Sequence, residues 1–464
     1  MKPILFVDLD ESLIQTDILR EQLIRSFALS PWKTLKLLFR EQFRPERVKA
    51  AIVAQVETDP ATLPYNADVL ALIHQAKREK RLVVLATATH EKVANQIAKY
   101  LGVFDAVLAT TDSHNCKGKK KLKMMQEYAA GRPFDYVGDS HADLTIFNEV
   151  QTVYIVGNLR YPNAHQRFVR PSILRPFLKA IRPHQWAKNG LIFLPLLTSH
   201  HLTMHTILTG VLGFICFSLA ASAIYLVNDM VDVEDDRHHL EKKNRPFAKG
   251  DLTVDEGIWF SLTLLVTTIV LSYIWLPAGL WVLSGYIALT FLYSFSLKAQ
   301  AVLDVFCLST LYAIRVLYGQ VINEIEQSSW LLAFCIFFFL SLAFMKRTAE
   351  IEKTQSKKQP LTTRRGYQLE DDSLIKIAGV SSGLLSILVL TLYINSDKVT
   401  KLYVHPDFLW GSAYVLLYWK LRLWLIATRG EMNQDPVLFA LRDPTSYIIG
   451  TLVFLFGAFA KGLL

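Results

Sequence analysis

Asn228, Asp229, Asp232, Asp235 and Asp236 crowd together at the end of a long apolar run, and Arg237, Lys242, Lys243 and Arg245 follow directly. Carboxylates this close repel one another unless positive charge lies among them. Asp229, Asp232 and Asp236 fall at i, i+3 and i+7, which is one face of a helix. Asn228 can add a carbonyl oxygen. Such a set suits Mg²⁺, which takes oxygen ligands and keeps positions for water and phosphate, and which neutralises a diphosphate leaving group. The basic residues behind it offer donors to the same phosphates. A second acidic set lies near the start. Asp8 and Asp10 stand in FVDLDESL, Thr87 in LATAT, and Asp139 and Asp143 in YVGDSHADL, each closing a strand-like run. This is a phosphoryl-transfer set. Asp8 would attack phosphorus, and Asp10 would protonate the leaving oxygen and then activate water. Mg²⁺ would sit among Asp8, the Asp10 carbonyl and Asp139, with Asp143 beside them. Thr87 and a lysine of NCKGKKKLKMM would neutralise the phosphoryl oxygens. Lys117 and Lys121 both qualify; Lys121 is favoured because it opens the following helix.

Two kinds of scaffold must position these groups. The chain has 464 residues, 52% of them hydrophobic and 20% charged, with a net charge of +9. High apolar content beside many charges means that the charges are segregated by region. Residues 1–160 read as a soluble α/β domain with a parallel sheet. Its strands are ILFVDLD, RLVVLATAT and FDYVGDS, and its clearest helices are NADVLALIHQAKREK and EKVANQIAKYLG. Residues 17–60 form a mostly helical insert. Residues 161–183, rich in Pro and Arg, read as a linker with an interfacial helix. From 184 to 464 the chain reads as an all-α polytopic membrane domain. Apolar stretches of spanning length recur about nine times, at 188–202, 207–227, 257–276, 278–295, 302–321, 328–346, 374–394, 408–427 and 445–463.

The loops after the second, fourth, sixth and eighth stretches carry the basic residues. These are Arg237, Lys242, Lys243, Arg245 and Lys249; then Lys298; then Arg347, Lys353, Lys357, Lys358, Arg364 and Arg365; then Arg429 and Arg442. That bias predicts that these loops and the soluble domain face the cytoplasm of a bacterial-type inner membrane. The basic charge follows the loops and does not form a stripe interleaved with aromatics, so no nucleic-acid partner is expected. Four cysteines stand singly, without metal or disulfide spacing. The start, MKPILFVDLDESL, does not read as a signal peptide, because its apolar stretch is short and Asp8 interrupts it.

NDxxDxxxD after the second span, followed by KNRPFAKG, resembles the UbiA superfamily of intramembrane prenyltransferases over about 180–464. Members with aromatic acceptors carry a second acidic motif after the fourth span. Here that region reads FLYSFSLKAQAVLDVF, with Tyr293, Lys298 and a single Asp304. Together with RPHQWAKNGLIFLPLL (Lys188, Asn189) and FMKRTAEI (Arg347, Glu350), it resembles the polyprenyl-phosphate phosphoribosyltransferase branch. That resemblance implies phosphoribosyl diphosphate as donor and a polyprenyl phosphate in the bilayer as acceptor. Mg²⁺ on Asp229, Asp232 and Asp236 would draw off the diphosphate. Asp304 would hold a second ion or the ribose hydroxyls. Lys188, Arg237, Lys242, Arg245, Lys298 and Arg347 are candidates for the phosphates, unassigned among them. In the first domain the order of acids, Thr and Lys is similar to that of the haloacid dehalogenase phosphatases, with the helical insert as a small cap. Glu11-Ser12 replaces that family's usual Gly-Thr.

The sequence therefore predicts a membrane enzyme with Mg²⁺ in both domains. One half transfers 5-phosphoribose to a polyprenyl phosphate, and the other removes the 5-phosphate. Three readings compete. The first is prenyl transfer from a prenyl diphosphate to an aromatic acceptor. The second makes the first domain a regulatory module that senses a phosphorylated metabolite. A transporter is the third, disfavoured because the acids gather at one membrane face.

Overall fold

A computed structural model describes residues 2–112, 114–200, 202–239, 241–356, 366–432 and 435–463; the side chains of 354–356, 398 and 400 are excepted. Lys357, Lys358, Arg364 and Arg365 lie outside the described residues. The chain divides into two compact units, Met1–Arg182 with Tyr225–Thr263, and Pro183–Ile224 with Leu264–Leu464.

In the first unit, six strands form one parallel sheet: β1 (Ile4–Val7), β2 (Val83–His90), β3 (Ala106–Thr110), β4 (Phe134–Gly138), β5 (Val153–Val156) and β6 (Ala164–Phe168), in the order β3-β2-β1-β4-β5-β6. β1, β2 and β4 are the three strands read from sequence; β5 is equally apolar and is not among them. Alternation along them divides their side chains between the two faces. Leu5, Val7, Val83, Leu85 and Val137 join one buried cluster, and Ile4, Phe6, Val84, Ala86 and Tyr136 join the other. Both faces are covered, as a parallel sheet requires. β3, β5 and β6 are short, and β6 is an edge strand inside the stretch that sequence reads as linker. The helical insert consists of α1 (Ile18–Leu29), α2 (Pro31–Arg40) and α3 (Pro45–Val53). Asp17 caps α1, and Pro at the first position starts each of the other two. The two expected helices are present as α4 (Ala67–Arg78) and α5 (Glu91–Leu101), and α6 (Lys119–Ala129) carries the lysine run.

Seven helices among the described residues are long and apolar enough to cross a membrane, not nine: Met204–Val231, Val254–Trp275, Pro277–Phe295, Leu303–Ile322, Ser329–Lys353, Leu369–Ile394 and Pro444–Lys461. The stretch 188–202 is broken, with a 3₁₀ segment Pro183–Phe193 followed by a short helix Leu194–Ser199. The helix Leu409–Thr428 is long enough but holds Lys420 and Arg422 and is less apolar than the seven. All four cysteines are free and buried.

The broken stretch is packed tightly within the second unit. A Cβ added at Gly319, on the span Leu303–Ile322, would collide with the backbone of Ile192. Backbone cannot rotate out of the way as a side chain can. Gly319→Val should lower the unfolding temperature in detergent, with an overpacking cost of about 1–3 kcal/mol. Gly285, with nothing within 4 Å of its added Cβ, should accept Ala with little change.

Candidate functional sites

The parallel order of the sheet places the ends of β1, β2 and β4 side by side, since β1 pairs with both others. Asp8 follows β1, Thr87 lies inside β2, and Asp139 follows β4. Asp8, Asp139 and Asp143 offer oxygens that all lie within 4.8 Å of one another. Lys121 is the lysine that reaches them, its Nζ 2.7 Å from Asp8 Oδ2 and 3.5 Å from Asp143 Oδ1. Lys117, Lys119 and Lys120 are exposed. Ser12 Oγ donates to Asp139 Oδ1 at 3.1 Å. Asp10 is not among these converging oxygens. Its Oδ1 accepts from the Ile18 N–H at 2.9 Å, and its Oδ2 accepts from the Thr89 hydroxyl. Thr87 is fully buried, its hydroxyl accepting from the Thr89 N–H at 3.0 Å.

The electrostatics are those of a site short of positive charge. Burial, then the neighbouring Asp8 and Asp143 carboxylates, pushes Asp139 up to about 8. Burial also raises Asp8, although Lys121 pulls it down. Burial with the Asp17 carboxylate pushes Asp10 up to about 7, so it titrates near neutrality, where a general acid is most useful. Burial works against the charge on Lys121, but Asp8 and Asp143 outweigh it and raise its pKa. One lysine against three acids leaves a deficit that a divalent cation would fill, so the residues fit a metal ion. Glu11 sits at φ 52°, the left-handed region that favours glycine.

Sequence reading missed three contributors. Tyr136 donates its hydroxyl to Asp143 Oδ1 at 2.9 Å and lies 2.9 Å from Lys121 Nζ. Thr89 holds Asp10. Lys49, from α3 of the insert, reaches the Ala88 carbonyl at 2.6 Å. Thr89 and Lys49 lie far in sequence from their partners, and Tyr136, although only seven residues from Asp143, stands in no pattern that marks it.

The acidic loop belongs to the same unit. Helix Met204–Val231 ends beside Asp229, and the chain continues through Asp232 into the short helix Val233–His238. The Asp232 N–H bonds the Asn228 carbonyl at 2.9 Å, and the Asp236 N–H bonds the Asp232 carbonyl at 2.8 Å, so helical spacing persists across the junction. Arg245 Nη1 lies 3.2 Å from Asp229 Oδ1 and 2.6 Å from Asp236 Oδ2, so one guanidinium sits between the first and last acids. Arg182 also donates to Asp229 Oδ1 and stacks 5.4 Å over Tyr225. Asp229 Oδ2 is buried without a partner. Burial pushes Asp236 up to about 6 despite Arg245. Among the described residues the carboxylate oxygens of Asp229, Asp232 and Asp236 do not converge as those of Asp8, Asp139 and Asp143 do; what the loop leaves open to a cation is the unpartnered Asp229 Oδ2. Lys242 is half-buried within electrostatic reach of Asp236. Arg237, expected among the phosphate donors, does not join them. It is buried, and its guanidinium is taken by Glu21.

In the second unit, Asp304 opens the span Leu303–Ile322 and is fully buried. Arg347 Nε lies 2.7 Å from its Oδ2, and the Tyr367 hydroxyl donates to its Oδ1 at 2.5 Å. Arg347 also pairs with Glu350. Tyr367 accepts from the Val302 N–H at 2.9 Å, and Val302 sits at φ 67°, rare for a β-branched residue. Tyr293 and Lys298 are half-buried. Lys188 pairs with Asp435, a residue that sequence reading passed over. A cavity of about 240 Å³ lies beside Lys188, lined by Phe338, Phe339, Leu342 and Trp419, and Lys346 and Asp435 line an adjoining one. Asn189 is buried, its amide donating to Ser218 Oγ at 2.9 Å and accepting from Arg315 Nε at 2.8 Å. Arg315 lies among the rings of Phe217, Tyr286 and Tyr312 at 5.0, 5.1 and 5.6 Å.

The UbiA prenyltransferase family matches residues 191–423, and the haloacid dehalogenase-like hydrolase family matches residues 5–147. An uncharacterized protein of Sinorhizobium fredii is 35% identical over 97% of this chain and 89% of its own length. The nodulation protein NoeC of Azorhizobium caulinodans is 33% identical over 59% of this chain and 89% of its own. The decaprenyl-phosphate phosphoribosyltransferase of Mycolicibacterium smegmatis is 39% identical over 39% of this chain and 58% of its own.

If Tyr136 orders the first site, Tyr136→Phe should slow hydrolysis of p-nitrophenyl phosphate about tenfold, the usual scale for a lost supporting hydrogen bond. Asp8→Asn should abolish it.

Proposed function

Because the chain belongs to the UbiA prenyltransferase family and carries a haloacid dehalogenase-like hydrolase domain ahead of it, we propose that it makes and then dephosphorylates a lipid-linked phosphoribose. The observation that carries this reading is the buried Asp229–Asp236 pair, bridged by Arg245, with one carboxylate oxygen unpartnered. The likeness to a decaprenyl-phosphate phosphoribosyltransferase supports the donor and acceptor.

In this reading Asp229, Asp232 and Asp236, with the Asn228 side-chain carbonyl, would hold Mg²⁺. A bound Mg²⁺ supplies charge neutralisation for the departing diphosphate. Arg182, Arg245 and Lys242 hold the diphosphate oxygens. The bond from ribose C1 to the diphosphate breaks as a polyprenyl phosphate oxygen bonds C1. That oxygen is already anionic, so it needs positioning rather than a base. Lys188 and Lys346 at the apolar cavity suit an acceptor with a charged head and an isoprenoid tail. Lys298, Tyr293 and the Asp304–Arg347 pair remain candidates for the ribose hydroxyls and 5-phosphate.

Asp8 then attacks phosphorus of the 5-phosphate. The bond from phosphorus to the ribose oxygen breaks, and Asp10 gives that oxygen its proton. Water, losing its proton to Asp10, hydrolyses the aspartyl phosphate. Asp8, Asp139 and Asp143 are the residues that would hold Mg²⁺ here, and Lys121 and Thr87 would bind the phosphoryl oxygens. Both sites face the cytoplasm of an inner membrane, on the bias of the basic loops.

The test uses purified protein in detergent with Mg²⁺, polyprenyl phosphate and radiolabelled phosphoribosyl diphosphate. Label should enter lipid in the parent and fail to do so in Asp229→Asn. In Asp8→Asn it should enter and stay 5-phosphorylated. Lipid left unlabelled by the parent would sink the transfer reading. Identical products from the parent and Asp8→Asn would sink the coupling.

A further inference from the structure

Glu21 lies on α1, in the insert of the first domain, yet its carboxylate serves the acidic loop. Its two oxygens take both terminal nitrogens of Arg237, at 2.7 and 2.9 Å. The pair is enclosed, with side-chain exposures of 8% for Glu21 and 2% for Arg237. Both partners are further fixed. The Thr16 hydroxyl donates to Glu21 Oε1 at 2.5 Å, and Arg237 Nε donates to the Ala248 carbonyl at 3.2 Å. Around the pair, the Asp59 N–H donates to Glu234 at 3.3 Å, and Gly250 lies so close to Gln15 and Pro64 that an added Cβ would meet them at 2.8 and 2.9 Å.

An exposed ion pair slides and fixes little. A buried bidentate pair has one geometry, and breaking it strands a charge. Arg237 is the chain neighbour of Asp236, which shares Arg245 with Asp229. At its other end α1 starts at Ile18, whose N–H is held by Asp10. A continuous series of short contacts therefore runs from the acid of one site to the acids of the other.

We propose that Glu21 is a positioning residue for the acidic loop: by clasping Arg237 it fixes Asp236, so cation binding by the loop depends on the first domain's insert. This rests on the reading of Asp229 and Asp236 as metal ligands. It goes beyond that reading in making the hydrolase domain a structural part of the transferase, needed for transfer even when its nucleophile is removed.

The probe is Mn²⁺ alone, titrated calorimetrically into full-length protein carrying Asp139→Asn, which weakens the other cation site. Asp229→Asn identifies the signal of the loop. Adding Glu21→Gln should weaken that signal about tenfold or more, the scale of supports behind metal ligands. The charge exchange Glu21→Arg with Arg237→Glu should recover most of it, which a merely space-filling role would not. Unfolding temperature is read in parallel. A Glu21→Gln protein that melts with its parent and binds Mn²⁺ equally well overturns the proposal. Where Glu21→Gln does not fold, Thr16→Ala removes a single bond to Glu21, and unchanged Mn²⁺ binding there overturns it too. A parent without an Asp229-dependent Mn²⁺ signal overturns the premise and the proposal together. A parent that binds Mn²⁺ but moves no phosphoribose fails the functional reading and leaves the clasp standing.

Discussion

Carboxylates buried beside one another constrain both halves of this chain. Removing a carboxylate from water costs several kcal/mol unless opposite charge compensates it. At the sheet ends Asp8, Asp139 and Asp143 share Lys121. In the acidic loop Asp229 and Asp236 share Arg245, with Arg182 also on Asp229. In the second unit Asp304 takes Arg347 and a tyrosine hydroxyl. The three differ in what remains. The Asp304 pair is closed on itself and reads as a fixed brace as readily as a binding group. The first keeps a deficit of positive charge, and the loop, where two arginines meet two acids, keeps one carboxylate oxygen without a hydrogen bond. Asp139 is pushed up to about 8, and Asp229 Oδ2 has no partner.

Sequence reading reached whatever local spacing controls. Asp8 and Asp139 stood out because each follows an apolar strand run, and a parallel sheet gathers such ends along one edge, whereas Thr87, read as a strand end, lies inside β2. The choice of Lys121 followed from its place at a helix start. Asp229 and Asp236 were legible from their spacing on a helix. What failed to show is what folding joins across long separations. Tyr136 looks like an ordinary strand residue until Lys121 arrives from another helix. Asp435 looks like a helix cap, which it is, and only the structure adds Lys188. Arg237 was misread because its neighbours are phosphate-binding candidates, while its partner lies in another domain. The span count failed for a different reason. Composition marked 188–202 as apolar enough, but the backbone there takes a 3₁₀ path, and Gly319 lets it lie against the helix Leu303–Ile322.

Two sites on one chain also bear on the order of the chemistry. In the proposed scheme the product of transfer is anchored in the bilayer by its isoprenoid and does not dissolve away. A hydrolase tethered to the same membrane then meets it at an effective concentration set by the tether rather than by the bulk. Dephosphorylation removes the charged group that the transferase would bind again, so the second step pulls the first forward. The acids suit this division. Transfer to an anionic oxygen needs no proton, and the loop offers carboxylates already engaged with arginines. Phosphomonoester cleavage needs one proton given and one taken, and Asp10 titrates near neutrality, held by Thr89 and the start of α1. The helix whose first N–H Asp10 holds is the helix whose Glu21 pairs with Arg237 of the loop, so in the proposed scheme one segment would orient the proton donor of one reaction and brace the cation ligands of the other.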